Sequence, residues 1–321
     1  MAAKIAIGVD LGGTNVRVAL GNERGEIIAR VSELTERMRG PMGVSEQVTR
    51  IIHSIVRGKF DLRDIEGIGI GSTGPLDIRG GGLIRPTNLP FEYVPLVKPL
   101  EEEFGLPVIL LNDCVAAVVG EKYFGIGGDH ENLVYITIST GIGGVYVDGH
   151  LLMGKDGNAH EIGHFTIDFE GRLTCGCGRR GHWEAYCSGT GIPNYARLII
   201  EESGFKNLDK SLLREAYISG KLTAKTVYDC AKVGDELAKI IVKKIGMLNA
   251  IGFACVLDAY DPSLITVGGS VALNNPSLVI NPIKHYIGRH ARNRVPEITL
   301  TPLGEDIVLY GALASVFHFH R

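Results

Sequence analysis

At 321 residues the chain is long enough for two domains, each with its own core. Its 33 basic and 36 acidic residues leave a net charge of −3 with no long run of one sign, which excludes nucleic acid as the main partner, because neutralising phosphates needs a basic face. No stretch approaches the roughly 20 apolar residues that span a bilayer, the opening MAAKIAIGVD is no signal peptide, and six cysteines (114, 175, 177, 187, 230, 255) lack a disulfide-framework spacing, so a soluble protein of the reducing cytoplasm is expected.

The chain starts with a buried-strand run, KIAIGVD, then the turn LGGTN and a second short strand, VRVAL. After a polar turn EIIARVSEL reads as a third strand, so the opening is an antiparallel meander. Val44, Val48, Ile51, Ile52 and Ile55 recur at helical spacing, and Gly58 closes that helix. A strand over 65–70 ends in GSTGPLD, and a Gly- and Pro-rich loop runs from Gly80 to Pro99. The strand PVILLN then leads into a helix over 113–124. The second half repeats the opening with strand NLVYITI, turn STGIGG and strand VYVDGHLL, which indicates a duplicated α/β lobe. Helices are expected over 193–203, 211–219 and 233–257. LITVGGSVA then gives strand, glycine turn and helix, and a closing helix covers 306–317.

Chemistry concentrates between His160 and Gly189, in HEIGHFTIDFEGRLTCGCGRRGHWEAYCSG. Cys175 and Cys177, with His164 before and His182 after, are four ligands of the kind zinc prefers. A bare C-x-C pair lacks the usual zinc spacing, and the two flanking histidines decide for a metal-ordered loop. Glu161, His164 and Glu184 are interleaved with those ligands, so the same metal would fix carboxylates. A second site is the turn DLGGTN, where Asp10 is followed by Gly12 and Gly13, whose amides can approach a phosphate, and by the donors Thr14 and Asn15. This is no Walker loop, since no lysine follows, and Gly67, Gly69 and Gly71 alternate within a strand rather than opening a helix. Two more glycine turns follow apolar strands, one with Thr140 and Gly141 and one at Gly268 and Gly269; three such turns suit one nucleoside triphosphate. Asp113 directly follows a buried strand at a helix start. It serves there either as the N-cap or as a base that a helix N-terminus keeps ionised.

The motifs D-L-G-G-T-N, G-S-T-G-P, N-D at 112–113, S-T-G-I-G-G, E-I-G-H and C-G-C-G-R-R-G-H-W-E together resemble the ROK family of sugar kinases and sugar-responsive repressors. They stand in family order across the whole chain, most like the ATP-dependent glucokinases and broad-specificity hexokinases, archaeal ones included. The resemblance implies an α/β, two-lobed actin-like ATPase (ribonuclease H-like) fold with a central cleft. One lobe would take residues 1–113 plus 305–321, the other 114–304. It also implies Asp113 as catalytic base, and Asn88, Asn112, Glu161, His164 and Glu184 as sugar ligands. Gly12, Gly13, Thr14, Asn15, Thr140 and Gly141 would hold ATP phosphates, Gly268 and Gly269 the adenosine, and Asp10 would face Mg2+. The family pattern is C-x-C-x4-C, and this chain has His182 where the third cysteine belongs. Histidine ligates zinc, so a structural Zn2+ on His164, Cys175, Cys177 and His182 is expected. The expected partners are ATP and a hexose, glucose foremost, in a homodimer. N-acetylmannosamine kinase and polyphosphate-using glucokinase are the rival enzymes. A repressor would need a DNA-binding segment before the phosphate turn, which here begins at Asp10, and an actin-like assembly ATPase has no use for the acid–histidine–cysteine loop.

Overall fold

A computed structural model describes residues 3–86, 89–155 and 159–319, with the backbone alone at 145–147. The chain divides into two compact units, residues 1–130 with 306–321, and residues 131–305.

In the first unit β1 (Ile5–Leu11), β2 (Asn15–Asn22) and β3 (Ile27–Leu34) form the expected antiparallel meander. Helix α1 (Gly40–Val56) buries Val44, Val48, Ile51, Ile52 and Ile55, the residues whose spacing predicts it. Strand β4 (Ile65–Ser72) runs parallel to β1. The segment read as a Gly/Pro loop instead carries a small antiparallel sheet, β5 (Leu76–Asp77), β6 (Gly82–Ile84) and β7 (Tyr93–Pro95). Its strands are two or three residues long, too short for alternation to register, and they hold together by burying Leu83 and Val94. Helix α2 (Val97–Phe104) leads to β8 (Val108–Asn112), parallel to β4, and then to α3 (Asp113–Phe124). The main sheet therefore has the order β3-β2-β1-β4-β8.

The closing helix, Ile307–His318, explains the glycines that alternate along β4. A β-carbon built on Gly69 would lie 1.8 Å from the Ala312 carbonyl oxygen, so helix backbone rests directly on sheet backbone. On its other side a β-carbon at Gly311 would lie 1.6 Å from the carbonyl oxygen of Ala116 in α3. Because α3 packs on this helix, it belongs to the first unit, and the boundary falls after His130 rather than at 113.

The second unit repeats the scheme. Strands β9 (Asn132–Ile138), β10 (Ile142–Asp148) and β11 (His150–Leu151) are antiparallel neighbours. A long segment follows whose described residues hold one 3-10 turn, Ile162–His164, and α4 (Glu184–Cys187) and α5 (Gly191–Glu202) end it. Then come α6 (Arg214–Ile218), α7 (Ala224–Lys232), α8 (Glu236–Tyr260), β12 (Leu264–Gly268), α9 (Ser270–Asn274), α10 (Pro276–Tyr286) and β13 (Glu297–Leu300). The order β11-β10-β9-β12-β13 again sets a meander beside parallel strands, with β12 parallel to both β9 and β13. Helix α10 escapes the sequence reading because Pro276 and Pro282 look like breakers. Pro276 sits in the first turn, where its missing N–H costs nothing, and Pro282 packs over Gly246 of α8.

One expectation about the membrane needs correction. Helix α8 is long and apolar enough, by length and composition, to cross a bilayer, yet 61% of its most apolar window is buried inside the protein. Its Ile241, Ile245, Phe253 and Val256 form the core of the second unit, and that burial accounts for its composition.

The glycine contacts give a direct test. Gly69→Ala should lower the melting temperature by about 5 °C or more, because neither backbone can yield. A thermal melt with an unchanged midpoint would show that the closing helix can shift.

Candidate functional site

In the first unit the polar residues gather at the carboxyl ends of the parallel strands β1, β4 and β8, where open α/β sheets place ligands. Asp10 lies near the end of β1, and the antiparallel register sets it opposite Arg17, whose Nη1 reaches Asp10 Oδ2 at 3.2 Å. The Asp10 side chain is only 17% exposed. Burial pushes its carboxyl up to about 7, Arg17 opposes, and the charges of Asp113 and Asp306 add to the rise. The turn after β1 is fixed from several sides. Gly12 N–H donates to the Asn15 carbonyl at 2.9 Å, Thr35 Oγ1 to the Gly12 carbonyl at 2.7 Å, and Arg37 to the Gly13 carbonyl. Thr14 and Asn15 stand exposed at its tip.

Helix α3 is capped by Asn112 and not by Asp113. Asn112 has extended backbone, and its Oδ1 accepts the Cys114 N–H at 2.8 Å. Asp113 is the first helical residue, half-buried, and its Oδ1 also lies 2.8 Å from the Cys114 nitrogen. With the cap made by Asn112, the cap reading of Asp113 falls away. Asn88 lies outside the described residues.

The second unit holds the acid–histidine–cysteine cluster. One ligand atom from each of His164, Cys175, Cys177 and His182 lies within 4.8 Å of every other. A tetrahedral zinc needs ligand atoms about 3.3–3.8 Å apart, given its bond lengths of ~2.0–2.3 Å, so a small contraction closes the set. Cys177 Sγ and His182 Nδ1 already stand 3.3 Å apart. The donors suit the ion: burial, then His164, holds the His182 imidazole below its usual range, which keeps it neutral. Burial also pushes the Cys175 thiol up to about 12, so binding a metal would release its proton. Cys187 is fully buried, with Sγ 3.7 Å from the Ile245 carbonyl of α8, and takes no part.

The carboxylates are tied to this cluster. Glu161 Oε2 is 3.0 Å from His164 Nδ1, which leaves Nε2 as the ligating atom of that ring. Glu161 Oε1 is 3.3 Å from Nε2 of His160. The His160 contact, chiefly, holds the Glu161 carboxyl below its ordinary range against the cost of burial, so at neutral pH it is an acceptor. Glu184 Oε2 accepts the Ile142 N–H at 2.9 Å, and its Oε1 takes the Cys175 thiol at 3.5 Å. Trp183 anchors the segment: it is fully buried, its Nε1 donates to Asn249 Oδ1 of α8 at 2.9 Å, and its ring meets Phe253 edge-on.

Beside this cluster, at the carboxyl ends of β9 and β12, lies a cavity of about 500 Å3 walled by Thr140, Thr190, Thr223, Lys225, Ser270 and Asn274. Gly268 and Gly269 form the turn into Ser270, and Gly269 adopts φ +85° against the Ile138 carbonyl. Gly141 packs on Glu184, and a side chain at 141 would have to displace that carboxylate.

A model of the ROK family matches residues 6–318. The chain belongs to the ROK family. A glucokinase from Pyrobaculum calidifontis is 36% identical over 312 residues, which is 97% of this chain and 94% of that protein. Among solved structures, the ROK hexokinase from Thermus thermophilus superposes with a TM-score of 0.78 at 29% identity, over 98% of both chains. A ROK family glucokinase from Streptomyces griseus, in complex with glucose and AMPPNP, gives 0.77 at 29% identity, over 96% of this chain and 98% of that one. The fold is thus that of the two-domain, actin-like ROK proteins.

Sequence reasoning gave no role to Arg17, Arg37, His160 or Asp306. Arg17 was within reach, because a hairpin turning at 12–15 must pair it with Asp10. Asp306 belongs by long-range folding alone, with its Oδ2 on Arg30 Nη1 at 2.6 Å.

The Asp10 environment makes a prediction. A carboxyl raised from 3.8 to about 7 by folding opposes folding increasingly as pH climbs between those values, and fully above them. The melting-temperature advantage of Asp10→Asn over the parent, measured without ligand or metal, should therefore grow by about 5 °C between pH 5 and pH 8. A constant difference would mean that Asp10 ionises freely.

Proposed function

We propose that this protein is an ATP-dependent glucokinase of hexokinase type, transferring the γ-phosphoryl group of ATP to the 6-hydroxyl of glucose and related hexoses. The observation that carries this reading is the Glu161 carboxylate held between two histidine rings, one of which belongs to the ligand cluster, in a ROK chain. Full-length similarity to glucokinases supports it.

Phosphoryl transfer passes through a loose transition state, so the residues mainly position groups and stabilise charge. Asp113, ionised at its helix end, takes the proton of the sugar hydroxyl as the bond to phosphorus forms and ADP leaves. Glu161, Glu184 and Asn112 bind the remaining hydroxyls, the carboxylates as acceptors and Asn112 through its amide, and Asn88 is assigned to the same task; His164, expected as a further sugar ligand, has Nδ1 on Glu161 and Nε2 toward the cluster, and so serves the sugar by holding Glu161. Gly12, Gly13, Thr14, Asn15, Thr140 and Gly141 donate to the triphosphate, and the cavity walled by Thr140 and Ser270, next in the chain to the Gly268–Gly269 turn, receives the nucleoside. Asp10 is the carboxylate that would face the Mg2+ arriving with ATP, an ion that would supply charge neutralisation to the phosphates. His164, Cys175, Cys177 and His182 would hold a structural zinc in a closed set that stiffens the sugar-binding segment. Six free cysteines suit the cytoplasm, and light scattering would test the homodimer expected there.

Asp113→Asn should lower kcat by about 10²–10⁴-fold in a coupled ADP-release assay. Its melting temperature should barely move, because Asn112 carries the cap. Turnover near that of the parent would return Asp113 to a structural role. The same assay run over hexoses and N-acetylhexosamines should favour glucose, and a clear preference for N-acetylmannosamine would overturn the assignment.

Elemental analysis of protein purified without chelators should give about one zinc per chain, with Cys177→Ser losing most of it. Zinc-free protein that stays empty on reconstitution would mean that the segment is ordered by packing alone.

A further inference from the structure

We propose that His160 is a positioning residue: its ring sets the orientation of the Glu161 carboxylate and so controls affinity for the sugar. This rests on the reading of Glu161 as a sugar ligand.

Glu161 is a flexible side chain, 48% exposed, directly before the 3-10 turn between β11 and α4. A carboxylate so placed rotates freely unless both oxygens are held. His164 Nδ1 holds Oε2, and the same ring stands in the His–Cys cluster against His182, with ring centroids 5.1 Å apart. The other oxygen, Oε1, faces His160 Nε2. His160 is fixed by packing, since the residue is 7% exposed, and its carbonyl accepts the amide N–H groups of Gly144 at 3.0 Å and Ile162 at 2.9 Å. Consecutive side chains seldom touch within a helix or strand, where they point apart. The irregular backbone here turns the two toward each other instead. A carboxylate offers about four lone-pair sites, so two ring contacts still leave acceptors for hydroxyl groups. Pre-aiming those acceptors removes the ordering cost that sugar binding would otherwise carry, and releasing one such side chain should weaken binding about 3–10-fold.

The test compares H160L, which removes the donor at similar volume, H160Q, which keeps an N–H at similar reach, and E161Q. Glucose binding is read by calorimetry, with KM for glucose and for ATP, kcat and zinc content alongside. H160L should raise the glucose Kd and KM by about 3–10-fold. It should change the ATP KM and kcat by less than about twofold, and leave zinc content alone. H160Q should recover most of the loss. If H160L does not fold, H160M takes its place. A glucose Kd within about twofold of the parent in H160L, beside a much weaker one in E161Q, would overturn this proposal and leave the sugar-ligand reading standing. An equal loss in H160Q and H160L would make His160 a packing residue, also against the proposal. Unchanged glucose binding in E161Q would overturn the reading of Glu161 itself.

Discussion

The candidate site depends on how a segment of some thirty residues with almost no regular structure keeps one shape. Between β11 and α4 the described backbone has a single 3-10 turn, Ile162–His164, and such a length of irregular chain is entropically costly to order. Trp183 supplies the first restraint. Its indole fills the space over Gly252 of α8, where any side chain would collide, and its N–H is satisfied by Asn249. Asp168 supplies the second, joining the Tyr186 hydroxyl to Arg172, while the same hydroxyl accepts the Leu173 N–H at 3.0 Å. These restraints bring Cys175 and Cys177 to His164 and His182. The ligand cluster thus closes a loop whose two ends packing already holds.

The first unit reaches rigidity differently. Its closing helix touches both the sheet and α3 backbone to backbone, at Gly69 and Gly311, and such contacts have no side-chain rotamers through which to relax. The strand ends that carry Asp10 and Asn112–Asp113 are therefore mounted on a stiff layer. Asp10 is buried on that layer, where Arg17 opposes the like charge of Asp113 and Asp306.

Both units consist of an antiparallel meander running into parallel strands, and both place their glycine turns at carboxyl strand ends. The common architecture explains why three separate turns each follow an apolar strand. Each turn occupies the same place in the strand–turn scheme, and the second unit adds to it the acid–histidine segment and the nucleoside-sized cavity.

Features that depend on neighbours in the chain could be read from consecutive residues alone. Alternation and helical spacing placed β1 to β4, α1, α3, β9 and the closing helix, because short-range periodicity is written in consecutive residues. The four side chains of the His–Cys cluster were legible for a like reason: three of them fall within eight residues, at 175, 177 and 182, and all four are of types able to hold a metal. Tertiary structure decided whatever depended on distant residues. Asn112 rather than Asp113 caps α3, since the choice turns on a backbone angle. Helix α8 is a core helix rather than a membrane span, since composition is the same in either setting and only its surroundings differ. The sheet between Leu76 and Pro95 forms from strands too short to show a period. Asp10 titrates near 7 because folding buries it beside Asp113, a hundred residues on, and Asp306 from the far end of the chain. Electrostatics and burial are sums over space, and a sequence fixes them only through the fold.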